Sequence, residues 1–181
     1  MIGRKSRQKQ ELPTILAVRP LDHHRLHIEF CSGSVLELNM EIRLRTNRYY
    51  DLNSDTVFRS AITDGEKIIF DTGTSFELEI FPRQAMSMAR KLPGDSGGIL
   101  LVQALESGRL RMEMKTGSIL TLNMERRLHT IRYSPLKEPE VFQSVRTDGE
   151  TLFFGDVLQI DEEELNLLTL RVPPSGEEEG I

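Results

Sequence analysis

"LELNMEIRLRTNRYY" (residues 36–50) returns as "LTLNMERRLHTIRYS" (residues 120–134), displaced by 84 positions. The match extends beyond this block on both sides. From Ile15 to Phe70 against Ile99 to Phe154, without a gap, 28 of 56 aligned pairs are identical. Chance does not hold register over such a length, so the chain reads as one unit written twice. A repeat of this kind constrains the architecture before any local pattern does. Two copies are too few for an open solenoid, which leaves two small domains or one pseudo-twofold pair. A unit of some 70 residues buries only about 60% of its unfolded surface and is marginal alone, so shared apolar surface is itself a reason for doubling.

Inside each copy the apolar period is two. "RLHIEF" alternates Leu26, Ile28 and Phe30 with Arg25, His27 and Glu29, and "RLRMEM" places Leu110, Met112 and Met114 on one side. That pattern buries one face of a strand and wets the other. "CSGS" and "KTGS" supply turns and "VLEL" and "ILTL" resume the alternation, so each copy opens as an antiparallel meander. Ser54 before "DTVF" has the chemistry of a helix N-cap, and Pro139 suits a first helical turn. Short helices there would bury Phe58 and Phe142. "TDG" then recurs at Thr63 and Thr147, and Asp-Gly predicts a type I′ hairpin leading to Phe70 and Phe154 as core anchors.

The fold class expected is α+β, with two tandem homologous small domains, each an antiparallel β meander with a short helix and a final hairpin. The boundaries are a basic arm over 1–13 (Arg4, Lys5, Arg7, Lys9), repeat 1 over 14–81 and a helical, Gly-rich linker over 82–97. Repeat 2 covers 98–170, and an acidic tail with disordered-type composition covers 171–181. Within the linker, Pro82 to Lys91 reads as a helix stopped by Pro93-Gly94.

No run approaches the roughly 20 apolar residues of a membrane span, and Cys31 stands alone, so the expected setting is a reducing cytoplasm without membrane attachment. A net charge of −5 argues against wholesale coating of nucleic acid, although a local basic patch is compatible with it.

"ILAVRPLDHHRLHIEFCSGSVLELN" followed by "DTVFRSAITDGEKIIF" resembles the small bacterial domain of unknown function catalogued as number 2442. "ILLVQALESGRLRMEMKTGSILTLN" with "EVFQSVRTDGETLFFGDVLQIDEEEL" resembles it again. The resemblance covers most of residues 14–80 and 98–168 and rests on core and turn positions. It implies a compact α+β module with an accessory or regulatory role, since some members are fused to helix-turn-helix domains or encoded beside toxin–antitoxin genes. This chain departs from the pattern by doubling the module, and by placing Phe70 and Phe154 where the family often has Trp.

Several stretches invite chemistry. "GDSGG" (94–98) is similar to the nucleophile motif of trypsin-like proteases, but a nucleophile needs a base and an oxyanion hole around it, and this one follows a proline in a linker. "DHHRLH" offers His23, His24 and His27, but the second copy puts Ser107, Gly108 and Arg111 there, and no Cys or carboxylate pattern joins them as ligands. Asp161 and Glu162 to Glu164 stand at a helix start and complement its dipole. No metal site, cofactor or catalytic set is therefore expected. The shared "MExRLxTxRY" remains: Arg43 and Arg48 answer to Arg127 and Arg132, each pair leading into a tyrosine. Across a pseudo-twofold these arginines would converge into a groove for phosphates; alternatively they pair within the chain and cover apolar surface. The function expected is a non-enzymatic interaction or regulatory module with an unknown protein partner. The rival is a nucleic-acid-associated regulator gripping through Arg43, Arg48, Arg127 and Arg132.

Overall fold

The computed structural model describes residues 13–94 and 98–172. The basic arm up to Leu12, Ser96 of "GDSGG" and the tail from Pro173 lie outside them. The first half runs β1 (Ile15–Leu21), β2 (Arg25–Phe30), β3 (Val35–Asn39), two 3-10 turns (Arg43–Arg45, Asn47–Asn53), α1 (Asp55–Arg59), β4 (Ile62–Thr63), β5 (Ile68–Phe70), β6 (Leu78–Ile80) and α2 (Pro82–Arg90). The second half repeats the order: β7 (Ile99–Leu105), β8 (Arg109–Met114), β9 (Ile119–Asn123), two 3-10 turns (Arg127–His129, Ser134–Lys137), α3 (Pro139–Gln143), β10 (Val145–Thr147), β11 (Leu152–Phe154), β12 (Leu158–Ile160) and α4 (Glu162–Leu170). The fold is α+β with antiparallel sheets, as its alternating strands and short helices predict.

Of the two arrangements the repeat allows, the chain takes the pseudo-twofold pair. One six-stranded sheet runs β1-β2-β3-β9-β8-β7 through both halves. Its seam is antiparallel, with Val35 opposite Thr121, Leu36 opposite Leu120 and Glu37 opposite Ile119. Leu36 and Leu120 are equivalent in the repeat, so the pseudo-twofold passes between them. The seam is bolted from both sides. Ser118 Oγ accepts from the Asn39 amide and Ser34 Oγ from the Asn123 amide, each at 3.0 Å. Both serines are fully buried. Asn39 Nδ2 also donates to the Thr116 carbonyl at 3.1 Å. Gly33 and Gly117 sit at φ +82° and +80° beneath these amides, and a Cβ on either would stand 2.7 Å from Asn123 Nδ2 or 3.0 Å from Asn39 Nδ2. The repeated "GS" turns are thus fixed by contact with the opposite half.

The inward side of the sheet carries Leu26, Ile28, Phe30, Leu36, Leu38 and their counterparts, all buried in one cluster that spans both halves. Phe58 packs against Phe70 with ring centroids 6.3 Å apart, and Phe142 against Phe154 at 6.1 Å. The expected short helices are α1 and α3; Ser54 sits at the N-cap position, but its side chain makes no capping bond.

The structure departs from the sequence expectations in two places. The segment 82–97 reads as a linker in the sequence, yet α2 is the last element of the first half, and α4 is its equivalent. The kinship is hidden because the loop before β6 spans residues 71–77 while that before β12 spans only 155–157, dropping the offset from 84 to 80. Each of these helices reaches across the seam. Thr116 donates to the carbonyl of Ala89 in α2, and Ser32 donates to that of Thr169 in α4 at 2.5 Å. The Asp-Gly turns are also not type I′. Thr63 pairs with Ile68, leaving a four-residue loop in which Asp64 Oδ1 accepts from the Glu66 and Lys67 amides. Asp148 does the same for Glu150 and Thr151. The Asp side chain supplies the acceptor that a tighter turn would take from backbone. Positive φ at two successive positions occurs instead at His23-His24 (56°, 50°) and Ser107-Gly108 (57°, 65°).

Replacing Ser34 and Ser118 together by Ala leaves two seam amides without acceptors, at roughly 1–3 kcal/mol each. Urea denaturation should show a midpoint well below wild type with an unchanged m-value. Loss of less than about 1 kcal/mol in the double variant would show that the seam does not depend on these bonds.

Candidate functional site

The repeated arginine–tyrosine motif follows β3 and β9, where the chain leaves the seam and turns toward the final helices. Arg43 Nη2 donates to the Lys91 carbonyl at the end of α2, and Arg127 Nη2 to the Arg171 carbonyl at the end of α4, the latter at 2.7 Å. Helix C-termini leave carbonyls unpaired, and a guanidinium supplies donors and favourable charge there. Burial pushes the Arg127 guanidinium below its usual value. These two arginines therefore close helices.

Arg48 and Arg132 lie over the rings of Tyr49 and Tyr133, with guanidinium carbons 5.5 and 5.6 Å from the centroids. Both tyrosines are buried; both arginines are exposed. Here the halves diverge. In the second, Arg132 grips Glu164 of α4 with two bonds, Nε to Oε1 at 2.5 Å and Nη2 to Oε2 at 2.6 Å, and Tyr133 donates to the same carboxylate. Arg132 Nη2 also meets the Gln159 carbonyl at 3.2 Å. In the first, the equivalent of Glu164 is Gln84, whose Nε2 donates to Tyr49 Oη at 3.1 Å and whose Oε1 accepts from the Phe81 amide. A neutral amide thus stands in the first half where the second half holds the carboxylate that Arg132 grips. Among the described residues Arg48 forms no ion pair.

The electrostatics follow the geometry. Burial and then the Glu164 hydrogen bond push the Tyr133 hydroxyl up to about 12. Burial works to raise the Glu164 carboxyl, but the bonds from Arg132 and Tyr133 outweigh it and hold it below its usual value. Burial likewise raises Tyr49.

Arg43, Arg127 and Arg132 are committed to bonds within the chain, and of these four Arg48 alone shows no hydrogen bond or ion pair among the described residues. The histidines make separate contacts. His24 lies edge-on to Phe58 at 5.1 Å, and His27 Nε2 stands 3.1 Å from Glu29. Among the described residues no group of three or more His, Cys, Asp or Glu is placed to hold a metal ion, and no helix is long and apolar enough to cross a membrane. Asp161 caps α4 through its side chain, accepting from the Glu164 amide at 2.8 Å.

Sequence reading missed the pairing of α2 with α4. Arg83 Nη2 lies 3.2 Å from Glu163, and Arg90 Nη1 and Lys91 Nζ each lie 3.4 Å from Glu162. The signal was present as a basic segment before the second repeat and an acidic one near that repeat's end, but the changed offset hid their equivalence.

Glu164→Gln removes the anion beneath Tyr133, and ultraviolet titration should then find the tyrosine ionising nearer its ordinary value of about 10. Because the Glu164 carboxyl is depressed in the fold, its stabilisation is present above about pH 4.5 and lost as pH falls through the folded value. Wild type should exceed the variant in stability at pH 7, with the gap closing in acid; a gap constant from pH 7 to pH 3 would contradict the assignment.

Comparison with protein-family models, with curated proteins and with solved structures found no match to this chain.

Proposed function

We propose that the protein is a non-catalytic interaction module of the cytoplasm that binds a protein partner on the open face of its six-stranded sheet. The single observation that carries this reading is the division of labour between the two faces. The inward face forms the core and meets α2 and α4, while nothing among the described residues covers the outward one. Along β7 that face shows Leu101 and Leu105, 43% and 40% exposed. Part of its charge is paired across and along strands, Arg19 with Glu29 at 3.4 Å and Arg111 with Glu113, and Arg25 donates to the Gly117 carbonyl at 3.0 Å. A surface of apolar side chains among partly paired charges suits a protein partner better than a polyanion, because the pairing reduces the positive charge on offer. The polar residues written twice, the seam serines and asparagines and Arg43 with Arg127, each make a bond inside the chain. This agrees with the accessory role implied by the resemblance to the small domain of unknown function.

Leu101→Lys with Leu105→Lys should leave the melting temperature within a few degrees of wild type, since both side chains are exposed. A partner that co-purifies with wild type should be lost or weakened at least tenfold. Retention of that partner at undiminished affinity would overturn the surface assignment. Turnover of a substrate abolished by one side-chain change, or fluorophosphonate labelling of Ser96, would overturn the non-catalytic reading.

One observation favours the rival: the Arg48 guanidinium, which makes no hydrogen bond or ion pair among the described residues. If the chain contacts nucleic acid there, Arg48→Ala should weaken binding and lower the slope of log K against log salt by about one. Arg132→Ala should act chiefly on stability. Salt-independent binding, equal in wild type and Arg48→Ala, would end this reading.

A further inference from the structure

The two halves differ at one place in a way that leaves a built cavity. In the first half the turn between β1 and β2 carries His24, whose ring stands edge-on against Phe58, with centroids 5.1 Å apart and planes at 67°. His24 holds φ 50°, a conformation that L residues adopt at a cost, so packing offsets strain there. In the second half the equivalent residue is Gly108, with φ 65° and no ring to place. A cavity of about 310 Å³ opens in its stead. Its lining includes Ser107, Gly108, Leu128, Leu136, Phe142 and Gln143. Gly108 and Phe142 answer to His24 and Phe58, and Leu128 and Leu136 answer to Leu44 and Leu52, all at the offset of 84. The first half thus displays what the second half's cavity is shaped to hold.

We infer that this cavity is a binding site for a small planar nitrogen heterocycle, seated edge-on to Phe142 as the His24 imidazole is seated on Phe58. The chemistry of the lining fits that class. Phe142 offers the aromatic partner, Leu128 and Leu136 the apolar walls, and Ser107 and Gln143 hydroxyl and amide groups for ring nitrogens. A purely aliphatic ligand would make no use of these polar groups. The lining also takes in Leu105, at the end of the outward sheet face, with Glu106 and Lys137 beside it.

The probe is 4-methylimidazole, the side chain of histidine as a free molecule, titrated into the full chain with methyl and aromatic resonances observed. Saturable shifts should gather at Leu128, Leu136 and Phe142, with Kd on the order of millimolar for so few ligand atoms. Gly108→His supplies the ring covalently and should abolish those shifts. The closest atom to the added Cβ is the Leu128 Cδ1 methyl at 3.0 Å, the end of a flexible side chain. His24→Gly, which relieves a strained backbone, should create a second saturable site at Leu44, Leu52 and Phe58. The inference is overturned if wild type shows no saturable shift at the three named residues, if Gly108→His leaves the shifts unchanged, or if His24→Gly opens no second site.

Discussion

The architecture depends on a short antiparallel seam, three residues from β3 against three from β9, and on the two serines that lock it. Each half ends its meander in an edge strand that alone would present a row of unpaired amides and carbonyls. Pairing the two edges satisfies those groups and merges two marginal cores into one. The bolt is reciprocal, because each serine serves the asparagine that ends the other half's edge strand. It also explains why glycine precedes each serine. The positive φ turns the backbone, and the missing Cβ lets the opposite asparagine amide lie against it. A residue with a side chain there would push the strands apart at the one contact that makes six strands from three and three.

Much of this was legible before any coordinates. The 84-residue register marks the equivalent positions, and period-two alternation in "RLHIEF" and "RLRMEM" marks the buried face. What was not legible is long-range or depends on a lost register. Nothing in "VLELN" announces that its partner is the same strand in the other copy. The equivalence of α2 and α4 vanishes from a gapless comparison because one loop is shorter. The Asp-Gly turns mislead for a local reason: an aspartate that accepts two amides stabilises a four-residue loop, and dipeptide statistics carry no account of that acceptor. The arginines illustrate the same limit for the site. Their spacing is visible in the sequence, but whether a guanidinium faces a carbonyl, a carboxylate or neither depends on helices far along the chain.

Symmetry in this molecule is structural, and its exceptions are where the halves acquire different properties. The seam serines and asparagines, the phenylalanines Phe58 and Phe70 with Phe142 and Phe154, and the helix-closing arginines are kept in both copies. Glu164 stands where the first half has Gln84, and Gly108 where it has His24. Neither difference touches a bond that holds the sheet together. Such positions are free to diverge because the fold's demands are met elsewhere.

The helices show what divergence gains. In a symmetric pair, α2 and α4 would present the same charges to each other across the pseudo-twofold, and like charges would repel. Instead the basic residues Arg83, Arg90 and Lys91 belong to α2 and its end, while Glu162, Glu163 and Glu164 open α4. Arg83 and Glu163 are equivalent positions with opposite signs, and they meet at 3.2 Å. Arg90 is 3% exposed, where the equivalent residue is the apolar Leu170. The fold accepts leucine at that position, so the buried arginine answers Glu162 and is not a packing requirement. Two copies of the first half would set basic helix against basic helix, and two copies of the second acidic against acidic. Only the unlike pair is matched in charge, so the same contacts that close this chain on itself discriminate against pairing with an identical half from another molecule.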